Sequence, residues 1–150
     1  MGWNSFADVF DLIVAALRNN ADLAAFCSAD FKKTLTVRKG VKRREEIRED
    51  ELPIVMVSVA GQQSSYGAGR LLYREYAVRF FCGLKQDDRP KAPDQVLRFE
   101  ELIEQAVLTD TALNGDASSS TPGDSAYDEG FYHPVYFMVK EFRVLVERDI

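Results

Sequence analysis

Cysteine is scarce in this chain: 150 residues contain two, Cys27 and Cys82. They could form at most one bridge, far from the cysteine density of a small secreted scaffold, so reduced thiols are the expectation. Histidine is scarcer still, with His133 alone. Two separated cysteines and one histidine offer no pairing that closes a zinc tetrahedron. The acidic cluster Glu45, Glu46, Glu49 and Asp50 lacks the spacing and turn glycine of an EF-hand. No metal and no cofactor are therefore expected. Long apolar runs are missing too, since no stretch approaches the ~18 residues that would suggest a bilayer span. The first residues carry no basic leader, the apolar stretch 9–17 is broken by Asp11, and Phe6 stands where a myristoylation signal has Ser or Thr. A signal peptide or lipid anchor is not expected, and the reading is a protein of a reducing cytoplasm without membrane attachment. Basic charge is in deficit, with 19 Lys and Arg against 24 Asp and Glu and a net charge of −5. Such a chain has no general attraction for phosphate backbones.

What is present is the composition of an ordinary folded protein: 46% hydrophobic, 11% aromatic and 29% charged. About 150 residues fit one domain, here 1–150, and bury roughly 68 to 70% of the unfolded surface. Ser5 suits a helix N-cap, with Asp8 as its box partner, and Phe6, Val9, Phe10, Ile13 and Leu17 fall on one helical face. Residues 22–28 add one or two turns presenting Leu23, Phe26 and Cys27. From Lys33 the period changes to two, with Leu35 and Val37 alternating with threonines and Arg38 in a first strand. Past Pro53 the run Ile54, Val55, Met56, Val57, Ser58, Val59 reads as a central strand. Residues 61–69 read as a flexible, glycine-bearing hairpin connection. Residues 71–84 make a long strand with Tyr76, Val78, Phe80, Cys82 and Leu84 on one face. Asp94 opens a second amphipathic helix carrying Val96, Phe99, Ile103, Ala106 and Val107. The closing strand, 135–148, puts Tyr136, Met138, Phe142, Val144 and Val146 together, with Lys140 read as a break in phase from a bulge or an edge position.

Helices before and after a meander predict an α+β fold: a mostly antiparallel sheet of four to five strands, two amphipathic helices on one face, and long polar loops. The passage from residue 71 through the second helix to the last strand could add one crossover. The two loops are residues 40–51, dense in charge of both signs, and residues 114–124, rich in Ser, Gly, Asp, Thr and Pro.

Catalytic constellations are thin. Cys82 with His133 as base, or Cys27 in its place, is the one nucleophile pairing available. Cys82 beside Phe80 and Leu84 reads more simply as a small buried hydrophobe, and His133 before Pro134 as a turn residue. Gly61, Gly67 and Gly69 join two strands, with no Lys-Ser or Lys-Thr pair and no helix start, so they do not read as a phosphate loop. Glu100, Glu101 and Glu104 read as the solvated face of the second helix. Lys42, Arg43 and Arg44 are followed at once by acids, which read either as a solvated two-sign loop or as one that docks on a complementary subunit. Five aromatics in eleven residues, Tyr127, Phe131, Tyr132, Tyr136 and Phe137, read either as core or as the centre of a protein contact.

The succession of these elements carries a resemblance. A helix with Phe6 and Leu17, a short helix near Phe26, the strand with Leu35 and Val37, Pro53-Ile54-Val55-Met56-Val57 and Tyr76-Ala77-Val78-Arg79-Phe80 come in order. A helix, a polar excursion and Phe142-Arg143-Val144-Leu145-Val146 follow. Over nearly its full length the chain resembles the tail-terminator proteins of long-tailed bacteriophages and prophages. That resemblance implies a non-enzymatic subunit of the virion tail, assembled in the bacterial host cytoplasm. It implies a homo-oligomeric ring, most often of six, on the head-proximal end of the tail tube, whose partners are the tube protein and the head-completion or neck proteins. DNA would pass through without specific binding. Within it, Arg43, Arg44 and Ile47 of the first loop and Tyr127, Phe131, Tyr132 and Tyr136 are the expected contact residues. Two alternatives stand beside it: another neck or head-closure subunit, and a small enzyme using Cys82 or His133.

Overall fold

A computed structural model describes residues 5–69, 71–117 and 119–149. Ser5 starts the first helix as expected: its hydroxyl accepts from the Ala7 N–H at 3.1 Å, relieving one of the amides a helix start leaves unpaired. Helix α1 (Phe6–Arg18) buries Val9, Ile13, Val14, Ala16 and Leu17. Asn20 caps α2 (Ala21–Phe31) through the Leu23 N–H at 2.9 Å, and α2 buries Leu23, Phe26 and Cys27. Helix α3 (Ala92–Thr109) carries a proline in its first turn, where no backbone donor is needed, and buries Val96, Phe99, Ile103, Ala106 and Val107. Asp110 then caps the short α4 (Thr111–Asp116), which sets Leu113 fully in the core.

Five strands form one sheet in the order β1-β2-β3-β5-β4. They are β1 (Thr36–Lys39), β2 (Ile54–Tyr66), β3 (Leu71–Lys85), β4 (Ser119–Tyr127) and β5 (Val135–Asp149). All neighbours are antiparallel except β1 and β2. The α+β reading holds, and α2 and α4 join the two amphipathic helices expected. The main core lies between the helices and one face of the sheet, where alternate residues Val55 and Val57, Val78, Phe80, Cys82 and Leu84, and Met138, Phe142 and Val144 point. Phe80 and Phe142 meet edge to face at 5.4 Å, and each buried ring of this kind stabilises by about 1.5 to 3 kcal/mol.

Four expectations are corrected. Residues 61–66 are strand and not hairpin connection: β2 runs on to Tyr66, paired with Leu72, after an irregularity between Val59 and Gly61. Its residues from Val59 onward are all exposed, so no apolar alternation marked it. Residues 114–124 are not a loop, because α4 ends and β4 begins within them, residue 118 lying outside the described residues. An edge strand needs no buried side chain, and Pro122 is tolerated there beside a register shift between Pro122 and Ser125. The passage from β3 through α3 returns antiparallel, and the parallel crossover is β1 to β2 instead. Lys140 does not break phase: β5 pairs with β3 in unbroken register, and Lys140 shares the core face with Met138 and Phe142.

Candidate interaction surface

The β1 to β2 crossover folds across the second face of the sheet. Gly40 ends β1 at φ +83, a backbone angle that favours glycine, and its N–H donates to the Val57 carbonyl at 2.8 Å. Two single 3₁₀ turns follow, Arg44–Glu46 and Glu49–Glu51. Glu51 ties the segment down. Its carboxylate accepts from the Arg48 N–H at 2.9 Å and from Lys42 Nζ at 2.9 and 3.0 Å, and these bonds hold its pKa below the usual range. Ile47 packs on a small second core of Leu52, Ile54 and Met56, flanked by Phe81 and Val135. Gly83 makes room for it: a Cβ there would stand 3.1 Å from Phe137 and 3.2 Å from Leu52.

Against this crossover lies the connection from β4 to β5. Asp128 organises it, accepting from the Gly130 N–H at 3.0 Å and the Phe137 N–H at 2.9 Å, with Glu129 and Gly130 both at positive φ. The turn holds Phe131 out at 84% exposure and lays Tyr132 edge-on against Phe137 at 5.9 Å. Arg44 crosses from the other segment and sets its guanidinium 3.6 Å from the Tyr132 ring centre. A cation over an aromatic face contributes about 0.5 to 1 kcal/mol when exposed. Glu49 and Lys85 form an ion pair alongside, and the Lys85 hydrogen bond lowers the Glu49 pKa. Between the two segments runs a shallow cleft of about 450 Å³ floored by Leu52, Val135 and Phe137 and rimmed by Arg44, Ile47, Glu49, Lys85 and Tyr132.

The structure thus brings Arg44, Ile47 and Tyr132 together. Arg43 stands apart at 82% side-chain exposure, paired with Glu46 at 2.7 Å. Tyr127 sits at the end of β4, 43% exposed, bonding α3 through its hydroxyl. Tyr136 is buried at 9% exposure, its hydroxyl 2.7 Å from His133 Nδ1, and takes the core place that was one of its two readings.

Lys140 is buried between α3 and β5 beside two carboxylates of α3 that the sequence reading placed on a solvated face. Lys140 Nζ is 2.5 Å from Glu104 and 3.5 Å from Glu100, and donates to the Gly123 carbonyl at 3.0 Å. Glu100 also accepts from the Ser125 hydroxyl at 2.6 Å and from the Tyr127 hydroxyl. Burial opposes ionisation of Glu100, but the hydrogen bonds from Ser125 and Tyr127, with Lys140 beside it, outweigh that and lower its pKa. Burial and the bond to Glu100 push the Tyr127 phenol up to about 12. The available signal was the period itself, which puts Lys140 two residues from both Met138 and Phe142.

Cys82 and His133 have different partners. The Cys82 thiol lies fully in the core against the Phe80 carbonyl, its pKa raised by burial and then by Glu100, while His133 bonds Tyr136. Burial, with Asp30 adding, pushes the Cys27 thiol up to about 12. Among the described residues no helix is long and apolar enough to cross a membrane.

No protein family's sequence profile and no curated protein matches the chain. Among solved structures, the fold is similar to that of a chain in the virion of a native gene transfer agent (GTA) particle. The TM-score is 0.51 at 14% identity, and the match covers 91% of this chain and 92% of that one.

Proposed function

We propose that this chain is a structural protein of a phage-like particle, and within that class a subunit of tail-terminator type. The observation that carries the reading is the likeness of fold to a virion chain across nine-tenths of both chains. The proposal gives the protein a role in adhesion and not in bond making. Copies associate head to tail into a closed ring, most often of six, that caps the tail tube and meets the head-completion proteins above. Heterologous contacts of this kind close only if rotation returns to the start, and then leave no copy of the contact patch unpaired. The cleft between Arg44 and Tyr132, with Phe131 beside it, has the make-up of a contact surface: an aromatic anchor and an arginine above a small apolar floor. The subunit would reside in the virion tail after assembly in the host cytoplasm, and DNA would pass without specific contact, in keeping with the net charge of −5. Purified protein is examined by native mass spectrometry and negative-stain microscopy, alone and with tail tubes. Rings that cap tubes are expected; a protein that neither forms rings nor binds tubes would defeat the reading. Rings that bind the head opening but not the tube would assign a neck or head-closure role instead.

A further inference from the structure

Three stretches of free edge among the described residues of the sheet are treated differently. The outer side of β1 is four residues long and carries Arg38 and Lys39, and β4 carries Pro122 beside its register shift. Charge, proline, shortness and irregularity are the devices by which natural edges avoid pairing with other chains. The third edge is long and has neither charge nor proline, and its one irregularity lies near its start, between Val59 and Gly61. β1 covers β2 only as far as Val57, and from Ser58 to Tyr66 β2 is bonded to β3 on one side and, among the described residues, to nothing on the other. Those nine residues, Ser-Val-Ala-Gly-Gln-Gln-Ser-Ser-Tyr, contain no charge and no proline. The strand is exposed on both faces from Val59 on, and it carries two large exposed apolar side chains, Val59 at 44% and Tyr66 at 80%.

We infer that this edge pairs antiparallel with the same strand of a second copy of the chain. The occupant follows from the strand's own chemistry. An uncharged strand laid against itself meets no like-charge repulsion, whereas β1 would oppose cation to cation. A two-fold axis at Gln63 sets Gln62 opposite Ser64 of the second copy and Gly61 opposite Ser65. At each end it sets the irregular pair Val59 and Ala60 opposite Tyr66. Faces agree: Gln62, Ser64 and Tyr66 stand over Tyr76, Arg74 and Leu72 of β3, the helix side, and Val59 stands over Val78 on that side too. Register and pleat are therefore both kept, and each exposed valine lies beside the other copy's exposed tyrosine. Main-chain bonds supply adhesion and the Val59–Tyr66 contacts fix register, as in strand addition generally. A contact of this kind is two-fold and closes on itself, so it does not depend on the ring reading and cannot by itself build a ring.

The test is sedimentation of the full chain with Gln63→Lys and Gln63→Glu, each checked for an unchanged melt. The wild type should sediment as a dimer, or as an even-numbered assembly where rings also form, with its amides from residue 59 to 66 protected from exchange. Each variant alone should pair about tenfold more weakly, because identical charges meet at the axis, and an equimolar mixture of the two should recover wild-type affinity. Recovery in the mixture is the diagnostic result, since only a two-fold contact centred on residue 63 brings it opposite itself. A wild-type monomer with fast-exchanging 59–66 amides overturns the inference, as does a dimer indifferent to both variants or an association that both variants weaken but their mixture does not restore. Rings that form in wild type and in Gln63→Lys alike, with the 59–66 amides unprotected in both, overturn the strand pair while sustaining the tail reading.

Discussion

Two single positions show how much of this molecule depends on space and on charge. Gly83 lies near the end of β3 with ordinary strand geometry, so its value is its missing Cβ, which would press on Phe137 and Leu52. Gly83→Ala should destabilise by about 1 to 2 kcal/mol through overpacking of the small second core, measured by urea denaturation. Lys140 is the opposite case, a charge whose side chain is 5% exposed and which holds two carboxylates. Removing one member of a buried pair leaves an uncompensated charge, so Lys140→Ala should cost about 3 kcal/mol or more, while Glu100→Gln, which keeps the shape and one of the two acceptor oxygens, should cost less. The pH dependence follows from the direction of the Glu100 shift. Its folded pKa lies below the ordinary value of 4.5, so its contribution is present above that value and is lost as pH falls through the folded one. Between neutrality and about pH 3, denaturation free energy should fall more steeply in the wild type than in Glu100→Gln.

At the scale of elements, attachment to the core separates the strands. β5 presents Met138, Phe142, Val144 and Val146 to the helices, whereas no described side chain of β4 is buried. β4 is held by its ladder to β5 and by the bonds of Ser125 and Tyr127 to Glu100. Hydrogen exchange should therefore find the amides of residues 119–127 opening at lower free energy than those joining β3 to β5, with Glu100→Gln widening the gap. The same contrast explains which elements could be read in advance. α1, α3, β3 and β5 each bury one face, and burial is what writes a period into a sequence. The second half of β2 and all of β4 bury nothing, are held by main-chain bonds that any residue can make, and so carried only polar and glycine-rich composition. The candidate surface was legible in part: Arg44, Ile47 and Tyr132 were named from composition, but their meeting depends on a crossover and a turn 85 to 88 residues apart in numbering.

For the whole molecule, the proposed role rests on surface and not on the buried groups. Among the described residues Phe131 is the most exposed of the large hydrophobic side chains, and no partner ring there covers it. Phe131→Ser should leave the melt within about 0.5 kcal/mol of wild type. It should weaken ring formation or tube capping in the pelleting and microscopy assays. A loss of stability in place of a loss of assembly would move Phe131 into the fold's own support. Arg44→Ala serves as the companion variant, since the guanidinium over Tyr132 orders the rim of the same cleft.

Hydrophobic periodicity and capping residues were enough to specify the α+β class, the helix starts at Ser5, the apolar faces of α1, α3, β3 and β5, and the net acidity of the surface. These are local properties, set by which side chains must leave water and which backbone groups need a partner. Three things needed the folded chain: the parallel placement of β1, the burial of Lys140 between two glutamates, and the bare outer edge of β2. Each depends on what stands opposite a residue across the sheet or beneath a helix, and that neighbour comes from a distant part of the chain.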